Sequence, residues 1–271
     1  MKKKITLSYV LSQFALLFLA VLVIYPLFFV LMTSVKSNFD VLTSPFTIHS
    51  FKPQNYIEAW KIGKIGKYFM NSVFITAVTL LVQMVVIVLA SYSFGKLQPW
   101  GHNILLIVYM TGLFVTSEMI TVPNFMTMKA LGLTGSRLSL LFPYVTNGIA
   151  LATYIMTNFI RELPRELDEA ATMDGCGIFQ NLWSITLPLM KPAILSVLML
   201  GFIYTFKAFD LMFVMTSGGP LNSTDVLGTY AYTLSFKQYE FSLGSTAAII
   251  LFACLFIVGL FYLRLISKED D

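Results

Sequence analysis

Charge is scarce in this sequence. Asp, Glu, Lys and Arg make up 12% of its 271 residues, about half the share of a soluble domain. A water-soluble chain of this length would need far more polar surface. Histidine is scarcer still, with only His49 and His102, far apart. No His-Glu-x-x-His helix for zinc occurs, and no Ser/His/Asp arrangement can be argued, so hydrolytic chemistry lacks its residues. No Gly-x-x-x-x-Gly-Lys-Ser/Thr phosphate loop is present either, so the chain lacks that device for holding ATP. The two cysteines, Cys176 in a polar stretch and Cys254 in an apolar one, read as unpaired thiols. The net charge of +4 comes with no basic stripe, which argues against nucleic acid as a partner. Fourteen scattered methionines read as packing residues rather than metal ligands.

What is abundant is apolar surface in long runs. Hydrophobic residues make up 57% of the chain, and the mean hydropathy is +0.77. A bilayer core about 30 Å thick needs roughly 20 helical residues. Six segments are long enough: 11–34, 69–93, 103–122, 138–160, 193–215 and 244–264. Backbone groups in lipid must be satisfied within their own segment, and the runs are too long and uniform for barrel strands, so helices are expected. The fold class is therefore all-α, a polytopic membrane protein with six transmembrane helices. The first run exceeds a signal-peptide core and lacks a small-residue cleavage site after it, so it is expected to be a retained helix.

Six spans put both termini on one side, together with the turn at Gly95 and the loop beginning at Arg161. Nine of the 18 Lys and Arg fall on that side and nine on the opposite side or within spans, so their count does not orient the chain. The Lys2-Lys3-Lys4 cluster beside the first span favours a cytoplasmic N-terminus, and hence both termini cytoplasmic, in the cell membrane. On that reading 161–192 is cytosolic, and 35–68 and 216–243 are extracytoplasmic loops of a single permease domain.

The 161–192 loop is the most charged stretch. Pro164 suits a first helical turn, and Glu166, Asp168 and Glu169 follow where the helix dipole favours negative charge. Gly175 and Gly177 end that helix. A second short helix is expected to carry Ile178, Phe179, Leu182 and Trp183 on one face. Glu169-Ala170-Ala171 gives a small, acidic surface that another protein can approach closely. A solvated helix with no partner explains the same residues equally well.

A resemblance bears on the choice. Glu169-Ala170-Ala171, three residues, Gly175, nine residues, then Ile185-x-Leu187-Pro188 resembles the EAA loop of binding-protein-dependent ABC transporter permeases. Tyr25-Pro26, Ser34-Val35-Lys36, Asn55-Tyr56, Asn71-Ser72, Phe209-Asp210 and Ser217-Gly218-Gly219-Pro220 with Thr224 look like the carbohydrate-uptake, maltose-type group. The resemblance covers most of the chain. It implies a type I ABC importer permease, not an enzyme, that moves a sugar or oligosaccharide. The implied partners are a second permease, two copies of a cytosolic ATPase that hold ATP and Mg, and an extracytoplasmic solute-binding protein. Glu169, Ala170, Ala171, Asp174 and Gly175 would meet the ATPase. Gly218, Gly219 and Pro220 would reach the binding protein, unless they form an ordinary turn-rich connector.

Polar residues within spans are costly and usually face a bundle interior. Glu118 at the end of the third span, Tyr144 and Asn147 on the fourth, and Tyr204, Lys207 and Asp210 on the fifth are candidates for the substrate path. Tyr144, Asn147 and Tyr154 fall at helical spacing on one face, and Lys207 and Asp210 are placed to pair. Helix–helix hydrogen bonding explains the same residues without any substrate. Two further alternatives stay open: a permease of the same superfamily for a non-sugar solute, and a secondary transporter. The latter would carry more intramembrane carboxylates.

Overall fold

The computed structural model describes residues 7–61, 65–164, 166–216 and 224–267. Among these, helices account for nearly all the ordered backbone, and the β pairing is an isolated antiparallel bridge between Lys36 and Phe51. Three helices are long and apolar enough to cross a membrane unbroken: α1 (Leu7–Ser34), α4 (Ile65–Tyr92) and α15 (Phe241–Ser267). Three further crossings are possible only as bent pairs, so six spans require counting each pair as one.

The expected third span is broken. α5 (His102–Met110) runs into a 3₁₀ turn, and α6 (Ser117–Ala130) departs at 96°. Val115 and Thr116 are both extended. Thr116 is a residue type that favours a helix N-cap, and Glu118 falls in the first turn of α6, where the dipole favours it. Glu118 therefore opens a helix instead of ending one.

The fourth expected span is α7 (Leu138–Thr146) and α8 (Ile149–Glu162), bent by 43°. The break lies at Asn147, with ψ 126°, and Gly148, with φ +76°. A positive φ carries no steric penalty at glycine. The bend removes the continuous helical register from Tyr144 through Asn147 to Tyr154. Tyr144 is buried, while Tyr154 is exposed.

The fifth is also shorter than 193–215. α12 (Lys191–Phe206) ends before Lys207, and α13 (Asp210–Met215) is a separate short helix. Before α12 come α9 (Glu166–Met173), α10 (Ile178–Asn181), a π-helical turn Leu182–Thr186 and α11 (Leu187–Leu189). The remaining short helices are α2 (Asn38–Thr43), α3 (Asn55–Lys61) and α14 (Leu227–Tyr232).

The chain forms two compact units. The first comprises 1–66 and 230–252. Its centre is a hydrogen-bonded knot after α1. Lys36 is fully buried, and its ammonium donates to the Pro45 carbonyl at 2.8 Å. Asn55 Nδ2 donates to the Ser34 and Lys36 carbonyls at 2.9 and 2.7 Å. Asp40 accepts from the Ser50 amide at 2.7 Å and from the Ser50 hydroxyl.

The Ser50 hydroxyl, above all, holds the Asp40 carboxyl below its ordinary range, with further help from the Ser50 amide and His49 against the cost of burial. A depressed carboxyl binds its proton more weakly folded than unfolded. Its contribution is therefore present above the ordinary value of about 4 and is lost as pH falls through the lower folded value. Amide protection factors across 36–52, corrected for the slower intrinsic exchange in acid, should fall below about pH 4, and Asp40→Asn should flatten that dependence. An identical acid profile in the variant would mean that Asp40 is not the group responsible.

The second unit comprises 67–229 and 253–271. One core cluster joins Ile75 of α4, Met128 of α6, Leu140 and Tyr144 of α7, and Leu211, Met212 and Met215 of α13. The other joins Ile87 and Tyr92 of α4, Met156 and Ile160 of α8, and Leu182, Met190, Ala193 and Val197. Leu182 and Met190 come from the loop between α8 and α12, so that loop is anchored in the core at both of them. α4 also buries Asn71, Ser72, Thr76, Thr79, Gln83 and Ser91. This polar stripe is hidden within an apolar run.

Candidate functional site

The loop between α8 and α12 begins where Pro164 disfavours helical geometry in the preceding residue. Leu163 is extended, with ψ 136°, and α8 stops at Glu162. Pro164 lies ahead of α9 and not in its first turn. Glu166, Asp168 and Glu169 occupy that turn. The helix closes on Gly175, at φ +78°, while the Cys176 amide donates back to the Ala171 carbonyl at 2.9 Å. Such a left-handed cap favours glycine and satisfies carbonyls at the helix end.

Glu169, Ala170 and Asp174 are exposed. Ala171 is buried, so the small residues divide between an outer and an inner face. The expected apolar face of the second helix is not formed. Leu182 is buried in the core, but Ile178, Phe179 and Trp183 are 57%, 72% and 70% exposed. The reason is register. α10 lasts one turn, and the π-helical turn that follows widens it, directing Asn181, Leu182, Thr186 and Met190 inward. Met173, on α9, is also exposed, at 89%, and shares a shallow surface with Asp168, Glu169 and Thr172.

Two features escape sequence inspection. One is the tie between this loop and the end of α4. After α4 a π-helical turn spans Ser93–Leu97. Lys96 Nζ lies 2.5 Å from Asp168 Oδ1 and donates to Thr186 Oγ1 at 3.0 Å. Glu169 lies on a polar groove with Gln98, His102 and Arg161.

The other is a cavity of about 180 Å³ between α4, α7, α8 and α12. Tyr144, Asn147 and Tyr204 all line it, with Gln83 and Thr205. Gln83 was not a candidate from the sequence, because it sits alone in an apolar run. Its Nε2 donates to the carbonyls of Tyr144, Val145 and Asn147 at 2.9, 3.1 and 2.8 Å. These carbonyls face it because the helix breaks at Asn147–Gly148. The Tyr144 hydroxyl is buried without a hydrogen-bond partner among the described residues.

Three other candidates do not line this cavity. Glu118 is exposed at the start of α6, and Asp210 is exposed at the start of α13. Lys207 and Asp210 form no ion pair with each other. The ammonium of Lys207 lies instead over the Tyr204 ring, 5.2 Å from its centre. The reason is the break after Phe206, which takes the two residues off a common helix. Gly218, Gly219 and Pro220 lie outside the described residues.

Comparison with known proteins agrees with this architecture. Over 201 residues the chain is 30% identical to the diacetylchitobiose uptake system permease NgcG of Streptomyces coelicolor, covering 74% of this chain and 67% of that one. Over 136 residues it is 32% identical to the multiple sugar-binding transport system permease MsmF of Streptococcus mutans, covering 50% of this chain and 47% of the relative. A bacterial ABC transporter involved in the import of the acidic polysaccharide alginate contains a chain of the same fold. Its TM-score is 0.78 at 19% identity, over 97% of this chain and 96% of that one. A second alginate transporter structure, in complex with a periplasmic protein bound to alginate pentasaccharide, matches with TM-score 0.73 at 15% identity, over 94% and 92%. Because the family model for binding-protein-dependent transport system inner membrane components matches residues 5–269, this chain belongs to that family of membrane permeases.

Proposed function

We propose that this chain is the membrane-spanning subunit of an ATP-driven importer for a sugar or oligosaccharide, coupled to a separate ATPase through α9. The observation that carries the reading is the surface around Glu169. It combines an exposed acidic helix, the exposed small side chain of Ala170 and the exposed apolar side chains of Met173, Ile178, Phe179 and Trp183 on a loop anchored in the core. Closure of an ATPase pair would push α9, and the helices would switch between inward- and outward-facing states by rigid-body rocking.

The loop 161–192 then faces the cytosol with both termini, and 35–68 and 216–243 face outward, within one permease domain. A second permease beside this one, two ATPase copies holding ATP and Mg, and an extracytoplasmic binding protein complete the transporter. The residues 218–220 would meet that binding protein. The sugar assignment draws on the relatives' substrates and on the cavity, where the Tyr144 hydroxyl, Asn147 and the Tyr204 ring suit hydroxyls and the C–H face of a sugar. Glu118, Lys207 and Asp210 belong at most to the approaches of that path.

Glu169→Lys tests the coupling assignment. The variant should insert normally, yet transport should fall at least about tenfold, the equivalent of ~1.4 kcal/mol. Uptake of radiolabelled sugar in proteoliposomes, read beside substrate-stimulated ATP hydrolysis, measures it. Unchanged values for both would refute the assignment. A panel of sugars and non-sugar solutes offered to the binding protein decides the substrate class.

A further inference from the structure

Lys96, Asp168, Asn181 and Thr186 form a closed polar ring. The Lys96 ammonium meets Asp168 Oδ1 and Thr186 Oγ1. Asn181 Nδ2 donates to the same Asp168 oxygen at 3.0 Å, and Thr186 Oγ1 donates to Asn181 Oδ1 at 3.1 Å. The four residues come from three separate pieces: the turn that ends α4, the first turn of α9, and the α10–α11 segment. Few exposed ion pairs contribute measurably, but this one is partly sheltered, with the Asp168 side chain 32% accessible. The Lys96 side chain is 11% accessible, Thr186 is fully buried and Asn181 nearly so.

Two weaker ties run in parallel. Arg161 Nη2 donates to the Phe94 carbonyl at 3.3 Å, and Tyr92 Oη to the Ile178 carbonyl at 3.4 Å. Both involve backbone groups close to Lys96 or to the loop. They hold the α4 terminus near the loop but do not touch α9. The ring joins α9 to the end of α4 through side-chain hydrogen bonds.

We infer that Lys96 is the positioning residue that locks α9 to the inner end of α4, so that displacement of α9 is delivered to that helix. The inference rests on the reading of α9 as the ATPase contact. It adds a direction to that reading. The stroke enters at Glu169 and passes one residue back, through Asp168, into the helix whose polar stripe carries Gln83 beside the cavity. Without Lys96, Asp168 keeps Asn181 as its side-chain donor among the described residues, and α9 can move without α4.

The test uses the full transporter in nanodiscs with the unaltered chain, Lys96→Met, Lys96→Arg, Asp168→Asn and the double variant Lys96→Met/Asp168→Asn. In Lys96→Met, amide exchange over 166–189 should accelerate at least about tenfold while other helices stay protected. Sugar moved per ATP hydrolysed should drop at least about fivefold, with the ATPase still retained, and Lys96→Arg should preserve most of both. Asp168→Asn, which conserves size, should give the same pattern more weakly. The double variant should be no worse than Lys96→Met, because residues acting as a unit are not additive.

Unchanged exchange in Lys96→Met overturns the inference, as does an additive double variant. Loss of ATPase binding with protected amides also overturns it, since Lys96 would then act at the docking surface. Retention of an ATPase by the unaltered chain tests the underlying reading separately. Exchange reports on the lock whether or not an ATPase binds.

Discussion

Replacing Gln83 with leucine should destabilise the membrane-embedded helices by about 2–5 kcal/mol, because each buried carbonyl left without a donor forfeits about 1–3 kcal/mol. The substitution nearly conserves volume, so packing contributes little. What is lost is one amide group serving three carbonyls, those of Tyr144, Val145 and Asn147. In a helix these groups would be satisfied by amides one turn further on. The break at Asn147–Gly148 removes that solution, and lipid offers no replacement. Water entering the adjoining cavity of about 180 Å³ can reach some of them, which sets the upper limit below the sum of three full penalties.

Gln83→Glu should be worse still at neutral pH, since a carboxylate would face three carbonyl oxygens with no proton to donate. Unfolding in graded detergent mixtures gives the comparison. Leucine within about 0.5 kcal/mol of the native protein would mean that water, not Gln83, satisfies the break. The same variant should also slow transport, because Tyr144 and Asn147 lose the strut that holds their backbone.

This dependence explains what could be read in the sequence and what could not. Apolar runs located the three unbroken helices α1, α4 and α15 to within a few residues, because length and hydropathy are properties of a whole segment. They did not show that the other three runs are interrupted. Averaging over twenty residues hides one extended residue such as Val115 or one left-handed glycine such as Gly148. Some local signals were present, among them Thr116 followed by Ser117-Glu118 and the glycine after Asn147. They carry weight only when allowed to override hydropathy.

The buried stripe on α4 failed for a related reason. Thr76, Thr79 and Gln83 are diluted by Val, Leu and Ile on the other faces, so the helix looks uniformly apolar. The exposed surface at Glu169 was legible because its spacing is fixed over twenty residues. The fate of Phe179 and Trp183 was not, since one π-helical turn changes which way each points. Nor could the partnership of Lys96 with Asp168, 72 residues apart, be read from either end. Only the packed fold brings a lysine that looks like a helix-end charge under a loop that looks self-contained.

Gly95 shows how tightly that contact is built. A methyl group placed on it would lie 2.5 Å from Ile160 Cγ2 and 2.9 Å from Ile160 Cβ, with the Thr157 carbonyl oxygen at 3.5 Å. Ile160 cannot swing away from its own Cβ, and it is 2% exposed within the core that also holds Leu182. The turn 93–97 must therefore move outward to admit any side chain. Gly95→Ala should cost about 1–3 kcal/mol, the usual range for forcing an extra methyl into a packed core. Gly95→Leu should prevent the turn from seating at all.

The effect should not stop at stability. Lys96 is the next residue, and an outward shift of the turn withdraws its ammonium from Asp168 and Thr186. Gly95→Ala should thus loosen the loop as Lys96→Met does, although it leaves the charged side chain in place. Ile160→Ala alone should cost about 2–5 kcal/mol through the cavity it leaves. Combined with Gly95→Ala, it should cost at least about 1 kcal/mol less than the two single losses added, because one methyl fills part of the space the other vacates. Equilibrium unfolding of the four proteins completes the cycle. Strict additivity would show that Gly95 and Ile160 do not meet in the membrane as they do here, and the route from α9 through Lys96 to α4 would lose its backing.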